Sequence, residues 1–545
     1  MKYAPVLFLV FFVACKTNVS ENSYPTAAME PLFGISLTMA ERDSMTDGLL
    51  ENETAYKALH HHLLENSIPP ALLFNPIPVH FSWNETREPV NYGLREEAVV
   101  PENFEDLAFY SLADLSNLLK TGKVTSTQLT EMYLGRLKKY GDTLQCVVTL
   151  TEDLAREQAA LADAEIAAGH YRGPLHGIPY GAKDLLAVEG YKTTWGAAPY
   201  QDQELTGTAT VIKKLEEAGA VLVAKLTLGA IAYGDVWFGG KTKNPWNLKQ
   251  GSSGSSAGSA SATVAGLVAF AIGTETHGSI VSPSTRCGAT GLRPTYGRVS
   301  RAGAMALSWS MDKIGPICRE ARDCAIVFSA LLGRDGLDQS VYEAPFNFDV
   351  TRDPKKLRVG YIKSYFEEEG EHAENNRKSL ETIRKMGVDM KEVVMPDDLP
   401  IEALNIILMA EASAAFDSLI RSEKDNLLVR QDKNAWPNLL RTARFIPAVE
   451  YINANRVRYQ LVQVMYETLK EFDVVITPSF GGTQLLVTNL TGNPCVTVPN
   501  GFDEKESPTS ISFIGNLFEE GVLLEFAHAY QQATDFEEKH PELFR

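Results

Sequence analysis

From Ser111 onward the chain alternates between helical and extended hydrophobic patterns. Leu112, Leu115, Leu118 and Leu119 recur at helical spacing and share one face. Thr125-Ser126-Thr127 is a polar helix start, and Leu129, Tyr133, Leu134 and Leu137 mark one side of the helix behind it. A third helix, rich in Ala and Glu, is predicted over residues 152–168, and residues 173–188 open on turn residues and lead into a short strand. Residues 208–218 carry Val211, Ile212 and Leu215 on one side, with Gly219 as C-cap. Residues 221–225 (VLVAK) open on four consecutive apolar residues, as expected of a strand buried on both faces. Further strands are predicted at 357–362, 473–478 and 495–499, and further helices near 374–386, 404–422, 447–472 and 521–536. Helix, short turn and apolar strand in succession predict an α/β layer architecture. No linker-like break divides residues 106–545, which read as one large domain. Residues 16–105 are richer in proline and polar residues and read as an N-terminal extension with one helix around 51–65.

Composition sharpens this picture in places. The chain has 545 residues, 44% of them hydrophobic, enough for a large core. Its 51 Lys and Arg against 69 Asp and Glu leave a net charge of −18, which argues against nucleic acid as the main partner. Lys2 and the apolar run 6–14 read as a signal peptide over residues 1–14, because a spanning helix needs about 20 residues. Phe12-Val13-Ala14-Cys15 resembles a bacterial lipobox, which implies lipidation of Cys15 and an exported, membrane-anchored lipoprotein facing the periplasm or exterior. An ordinary signal peptide with an incidental cysteine, giving a secreted protein, is the alternative. Cys146, Cys287, Cys318, Cys324 and Cys495 mostly have apolar neighbours and show no metal-type spacing, so they read as buried thiols. His60, His61 and His62 point in different directions on a helix and make a poor metal site; no metal site is predicted. Asn18, Asn52, Asn84 and Asn489 begin N-x-Ser/Thr triplets, which matter only in a eukaryotic host.

Candidate chemistry concentrates between Gly251 and Ser284. Gly254-Ser255-Ser256-Ala257-Gly258 fits G-x-S-x-G, with Ser256 as nucleophile, but no β-branched strand precedes it and no downstream histidine has a telling context. A different grouping is more specific. Lys183 stands in Gly181-Ala182-Lys183-Asp184, Ser255 in Ser253-Gly254-Ser255-Ser256-Ala257-Gly258, and Ser279 in Gly273-Thr274-Glu275-Thr276-His277-Gly278-Ser279-Ile280. Together, in this order and spacing, these motifs resemble the amidase signature family, which includes fatty acid amide hydrolase, peptide amidase and the A-type component of glutamyl-tRNA amidotransferase. Gly291-Leu292-Arg293-Pro294-Thr295, Ser310-Met311-Asp312-Lys313-Ile314-Gly315-Pro316 and Gly492-Asn493-Pro494 extend the resemblance, which covers about residues 106–535. Five positions depart from the family pattern. SGSSAG replaces GGSSGG but keeps both serines, Glu275 stands for Asp, and His277 stands for Gly. Val281 stands where amidotransferase subunits typically carry Arg.

The resemblance implies a large single-domain α/β/α sandwich around a twisted mixed β-sheet. It also implies a Ser-cisSer-Lys amidohydrolase that cleaves the C–N bond of a linear, non-peptide amide through an acyl-enzyme. Ser279 would attack the carbonyl, Ser255 would bridge it to Lys183, and the backbone N–H groups of Thr276, His277, Gly278 and Ser279 would form the oxyanion hole. Lys183 must be neutral to act as base, so its pKa must fall well below about 10.4. Tyr233 and Trp237, with Phe238, and the side chain of His277 are candidate substrate contacts, while Ser256 and Asp184 read as structural hydrogen-bonding groups. No metal or organic cofactor is called for. The expected partners are a small-molecule amide and, through Cys15, a membrane surface. Two other functions stay open: a glutamine-dependent amidotransferase component of the A type and a catalytically inactive binding protein. The oligomeric state is open too, a homodimer included.

Overall fold

The structure, a computed structural model, describes residues 25–61, 64–94 and 97–545. It divides into a unit ending at Glu65 and a unit from Asn66 to Arg545. The first unit is dominated by one helix, Met39–His61, which buries none of its side chains. It starts earlier than the sequence pattern predicts because Thr38 and Glu41 cap it reciprocally: Glu41 N donates to Thr38 Oγ1 and Thr38 N to Glu41 Oε2. His60 and His61 lie in its last turn; His62 is outside the described residues.

The second unit is built on an eleven-stranded sheet. Its strands are β1 (Val147–Leu150), β2 (Pro179–Lys183), β3 (Val221–Leu226), β4 (Phe270–Glu275), β5 (Thr290–Arg293), β6 (Lys313–Cys318), β7 (Val359–Tyr361), β8 (Met390–Glu392), β9 (Val474–Pro478), β10 (Cys495–Phe502) and β11 (Pro508–Ile514). The spatial order is β1-β3-β2-β4-β6-β5-β10-β11-β9-β7-β8. Two parallel blocks, β3-β2-β4 and β9-β7-β8, flank an antiparallel centre. The sheet is mixed, as the resemblance implies.

Period-two alternation explains why helices cover both faces. In β3, Leu222 joins one apolar cluster while Val221 and Val223 join another; near β4, Phe270 and Ile272 face the first and Val268 and Ala271 the second. The second cluster is closed by the helices Ser126–Leu144 and Glu152–Ala167 through Leu134, Leu137, Ala155 and Ala159. Thr125 caps the first of these in a capping box with Gln128. All five described cysteines are free and buried, and Asn489 is fully buried, which leaves no room for a glycan there.

Several elements differ from the sequence pattern. β4 starts only at Phe270, because the chain leaves the helix Ala257–Val264 through Gly266 at φ 63 and needs a turn before it joins the sheet. The predicted helix over 404–422 breaks at Phe416, at φ −115 and ψ 24, into Asn405–Ala415 and Asp417–Arg421. β1, β5, β6, β8 and β11 were not legible as strands. β5 reads TGLR, β6 reads KIGPIC and β11 reads PTSISFI, so glycine, proline and polar residues hide the apolar pattern and only long-range pairing defines the strand. No helix among the described residues is long and apolar enough to cross a membrane.

Candidate active site

Lys183 ends β2, fully buried, beside parallel β4. Its Nζ lies 2.9 Å from Ser255 Oγ, 3.0 Å from Ser256 Oγ and 2.8 Å from Thr274 Oγ1. These three hydroxyls accept from the ammonium form; in the neutral form the nitrogen instead accepts from one of them. No carboxylate forms an ion pair with it among the described residues. Burial lowers its pKa to about 7, against the opposing pull of Asp312 and Glu275. Lys225, next door on β3, shows the structural alternative, since its Nζ is 2.7 Å from Asp184 Oδ1. Asp184 thus turns away from Lys183, and its other oxygen accepts from Thr194 N at 2.9 Å.

The serine loop crosses above this lysine. The Gly254–Ser255 peptide bond is cis. Gly254 has no room for a side chain, since an added Cβ would lie 1.9 Å from Gly234 O. Ser256 cannot serve as a free nucleophile: its Oγ donates to Thr274 O and accepts from Thr274 N, both at 3.1 Å, as well as from Lys183. Ser256 N donates to Ser279 O at 3.1 Å and so ties the serine loop to the second turn. Ser279 is half-buried there, and its hydroxyl has no hydrogen-bond partner among the described residues. Lys183 and Ser255 are therefore hydrogen-bonded, while no hydrogen bond joins Ser255 to Ser279 among the described residues.

The turn Thr276–Ser279 leaves the end of β4, and its four backbone N–H groups find no protein acceptor among the described residues. Gly278 takes φ 91, a left-handed conformation that favours glycine. Glu275 braces the turn from below: Oε2 accepts from Ile280 N at 2.8 Å and Val281 N at 3.0 Å, and Oε1 from Arg293 Nη1 at 2.9 Å and Asn489 Nδ2 at 2.8 Å. Burial alone would raise the Glu275 pKa, but Arg293 and these N–H donors outweigh it and hold it at about 2. Thr276 is held from the other side, its Oγ1 donating to Asp312 Oδ1 at 2.6 Å. Asp312 Oδ2 in turn accepts from Leu307 N and Ser308 N at 2.8 and 3.0 Å. Sequence reasoning did not assign Thr274, Asp312, Arg293 or Asn489 to the site. Three of them lie in stretches that carry the family resemblance, but nothing local marks where their side chains point.

The Glu275–Arg293 pair has a stability consequence. A carboxylate with a folded pKa below its unfolded value contributes stability that is present above about pH 4.5 and lost as pH falls toward about 2. Glu275→Gln leaves the Arg293 charge buried and is expected to cost about 3–5 kcal/mol in urea unfolding at neutral pH. The difference between wild type and variant should shrink as the pH is lowered through that window.

The candidate substrate contacts separate. Tyr233 is exposed, with its ring 5.4 Å from that of Trp436, and its neighbour Gly234 presses on Gly254. Trp237 is buried against Phe238, and its indole N–H has no hydrogen-bond partner among the described residues. The side chain of His277 is exposed, yet its surroundings partly desolvate the ring and lower its pKa, with Lys313 and Arg293 adding to the effect.

A family model described as Amidase matches residues 128–487. The chain belongs to the amidase family. It is an amidase-family enzyme, a hydrolase with the amidase signature. Among its relatives, the A-type component of the glutamyl-tRNA(Gln) amidotransferase of Coxiella burnetii is 32% identical over 480 residues, covering 79% of this chain and 99% of that protein. Its counterpart in Dechloromonas aromatica is 33% identical over 480 residues, covering 79% and 98%. Among solved structures, the native peptide amidase from Stenotrophomonas maltophilia superposes with a TM-score of 0.70 at 29% identity, covering 79% of this amidase and 98% of that chain. The A-type glutamyl-tRNA(Gln) amidotransferase component of Thermotoga maritima, at 24% identity and a TM-score of 0.65, shares the fold. These relatives correct one expectation. These sequence relatives are A-type components of a glutamyl-tRNA(Gln) amidotransferase, which overturns the reading of this amidase as an exported lipoprotein anchored at Cys15. The apolar run 6–14 and Cys15 lie outside the described residues.

Proposed function

We propose that this enzyme hydrolyses a primary carboxamide through an acyl-enzyme on Ser279. The observation that carries the reading is Lys183, a fully buried lysine whose hydrogen bonds go to three hydroxyls and a carbonyl rather than to a carboxylate. Neutral Lys183 takes the Ser255 proton as Ser255 takes that of Ser279, and Ser279 Oγ attacks the amide carbon. The N–H groups of the Thr276–Ser279 turn hold the oxyanion. The relay returns the proton to the departing nitrogen, ammonia leaves, and water attacks the ester by the same route in reverse. Ser256 keeps Lys183 and Thr274 in position and Asp184 holds Lys225 and Thr194, neither touching the substrate.

Sequence identity to the amidotransferase components favours a second reading, in which the same chemistry releases ammonia from glutamine for a partner protein. In that case the net charge of −18 leaves tRNA binding to the partner. Ammonia release from glutamine, asparagine, benzamide and an amidated dipeptide separates the two. The first reading expects turnover of the amidated dipeptide above that of glutamine without any partner. Glutamine turnover alone, rising when a partner protein is added, supports the second. Absence of ammonia from every primary amide, with hydrolysis of N-substituted amides or esters, overturns both.

A further inference from the structure

A groove of about 810 Å³ opens where the parallel strands β7, β8 and β9 end. Crevices beyond the carboxyl ends of parallel strands are the usual ligand sites of open α/β sheets. Tyr365, Val393, Met395, Leu399 and Ile401 line it, along with Thr483. Thr483 starts the helix Gln484–Thr491, and that helix connects the groove to the reacting groups. Leu485 packs on Gly278, where an added Cβ would lie 3.0 Å from Leu485 Cδ2. One turn further on, Asn489 holds Glu275. On the groove side, Tyr365 lies against Gly481 and Gly482, where added Cβ atoms would come within 2.9 and 2.2 Å of it.

We propose that this groove holds the acyl part of the substrate, an extended, mainly apolar chain carrying a cationic group. The inference rests on the reading of Ser279 as nucleophile toward a primary carboxamide, because when ammonia leaves, the whole remainder of the substrate is acyl. Volume argues for an extended chain. Ligands of drug size fill about 300–1,000 Å³, and free glutamine would leave most of the groove to water. Charge argues for the cation. Asp397 and Glu402 line the groove without a basic partner among the described residues, whereas Glu367 lies within electrostatic reach of Lys363, which Glu392 engages at 2.9 Å. An anionic acyl chain would meet Asp397 and Glu402, while Lys363 on the same wall is already engaged by Glu392.

The test compares acetyl-Leu-Lys-Leu-amide, acetyl-Leu-Glu-Leu-amide and propionamide on wild type and two variants. Ala403→Trp fills the groove from an exposed position on its wall, and Asp397→Lys/Glu402→Lys reverses its charge. Wild type is expected to prefer the Lys peptide by about tenfold or more in kcat/KM. Ala403→Trp should raise KM for that peptide about tenfold and leave kcat/KM for propionamide within about twofold. The charge reversal should invert the Lys/Glu preference. Equal effects on all three amides, or no preference in wild type, overturn the proposal while leaving the nucleophile reading intact. If no amide turns over, calorimetric binding of the Lys peptide decides: weaker binding by both variants than by wild type supports the groove even though the nucleophile reading fails, and equal binding by wild type and either variant overturns it.

Discussion

Ser279→Ala is expected to lower kcat by at least about 10⁴-fold and to abolish labelling by a fluorophosphonate probe, with the urea unfolding curve unchanged. The size follows from the role, because without Ser279 there is no group on which the acyl-enzyme can form. Ser256 is the obvious substitute, and its surroundings deny it the part. Its oxygen is committed to both backbone groups of Thr274 and to Lys183, whereas the Ser279 hydroxyl is uncommitted and stands among four unpaired N–H groups. Peptide mapping of the labelled protein is the decisive measurement. Label on Ser256, or activity within about tenfold of wild type in Ser279→Ala, would refute the assignment.

Lys183→Met carries the second large effect, an expected loss of about 10³–10⁴-fold in kcat/KM together with loss of its pH dependence. In the wild type only neutral Lys183 accepts a proton. Activity should therefore climb about tenfold per pH unit up to the lysine's pKa of about 7 and then level off. The same burial has the opposite sign for stability. A lysine with a folded pKa below its unfolded value binds more protons when unfolded, so stability rises with pH between about 7 and 10.5. At and below neutral pH the fold carries that cost, and Lys183→Met should relieve a few kcal/mol of it, seen as a higher urea midpoint at pH 6. A less active and more stable variant would mark a group kept for chemistry. A variant that loses stability along with activity would mark Lys183 as a structural lysine, in the manner of Lys225 with Asp184.

How far local pattern reaches is clear from particular residues. The helices Leu112–Lys120 and Ser126–Leu144 follow from their leucine spacing and polar caps, because both signals are contained within one element. β5 and β6 could not be read that way. Arg293 and Lys313 are charged residues inside central strands, tolerated because Arg293 finds Glu275 and the Asn493 carbonyl, and Lys313 the Met311 carbonyl. His277 marks a similar limit. The sequence shows a bulky residue where the family has glycine, and only the structure shows that its side chain is exposed rather than buried under the turn.

By itself, then, the sequence determined the family, the identity and order of Lys183, Ser255 and Ser279, and the helices whose signals are local. Motif order and hydrophobic period are properties of neighbouring residues along the chain. Tertiary structure decided what depends on residues far apart: that Lys183 has hydroxyls around it while Asp184 turns to Lys225, and that Thr274 shares Ser256 with the lysine. It also decided that Glu275, Asn489 and Asp312 brace the Thr276–Ser279 turn. These contacts form only when β2, β4, β5 and the helix Gln484–Thr491 assemble, so the direction of a buried side chain, and with it the charge it carries, becomes readable only once the sheet has closed.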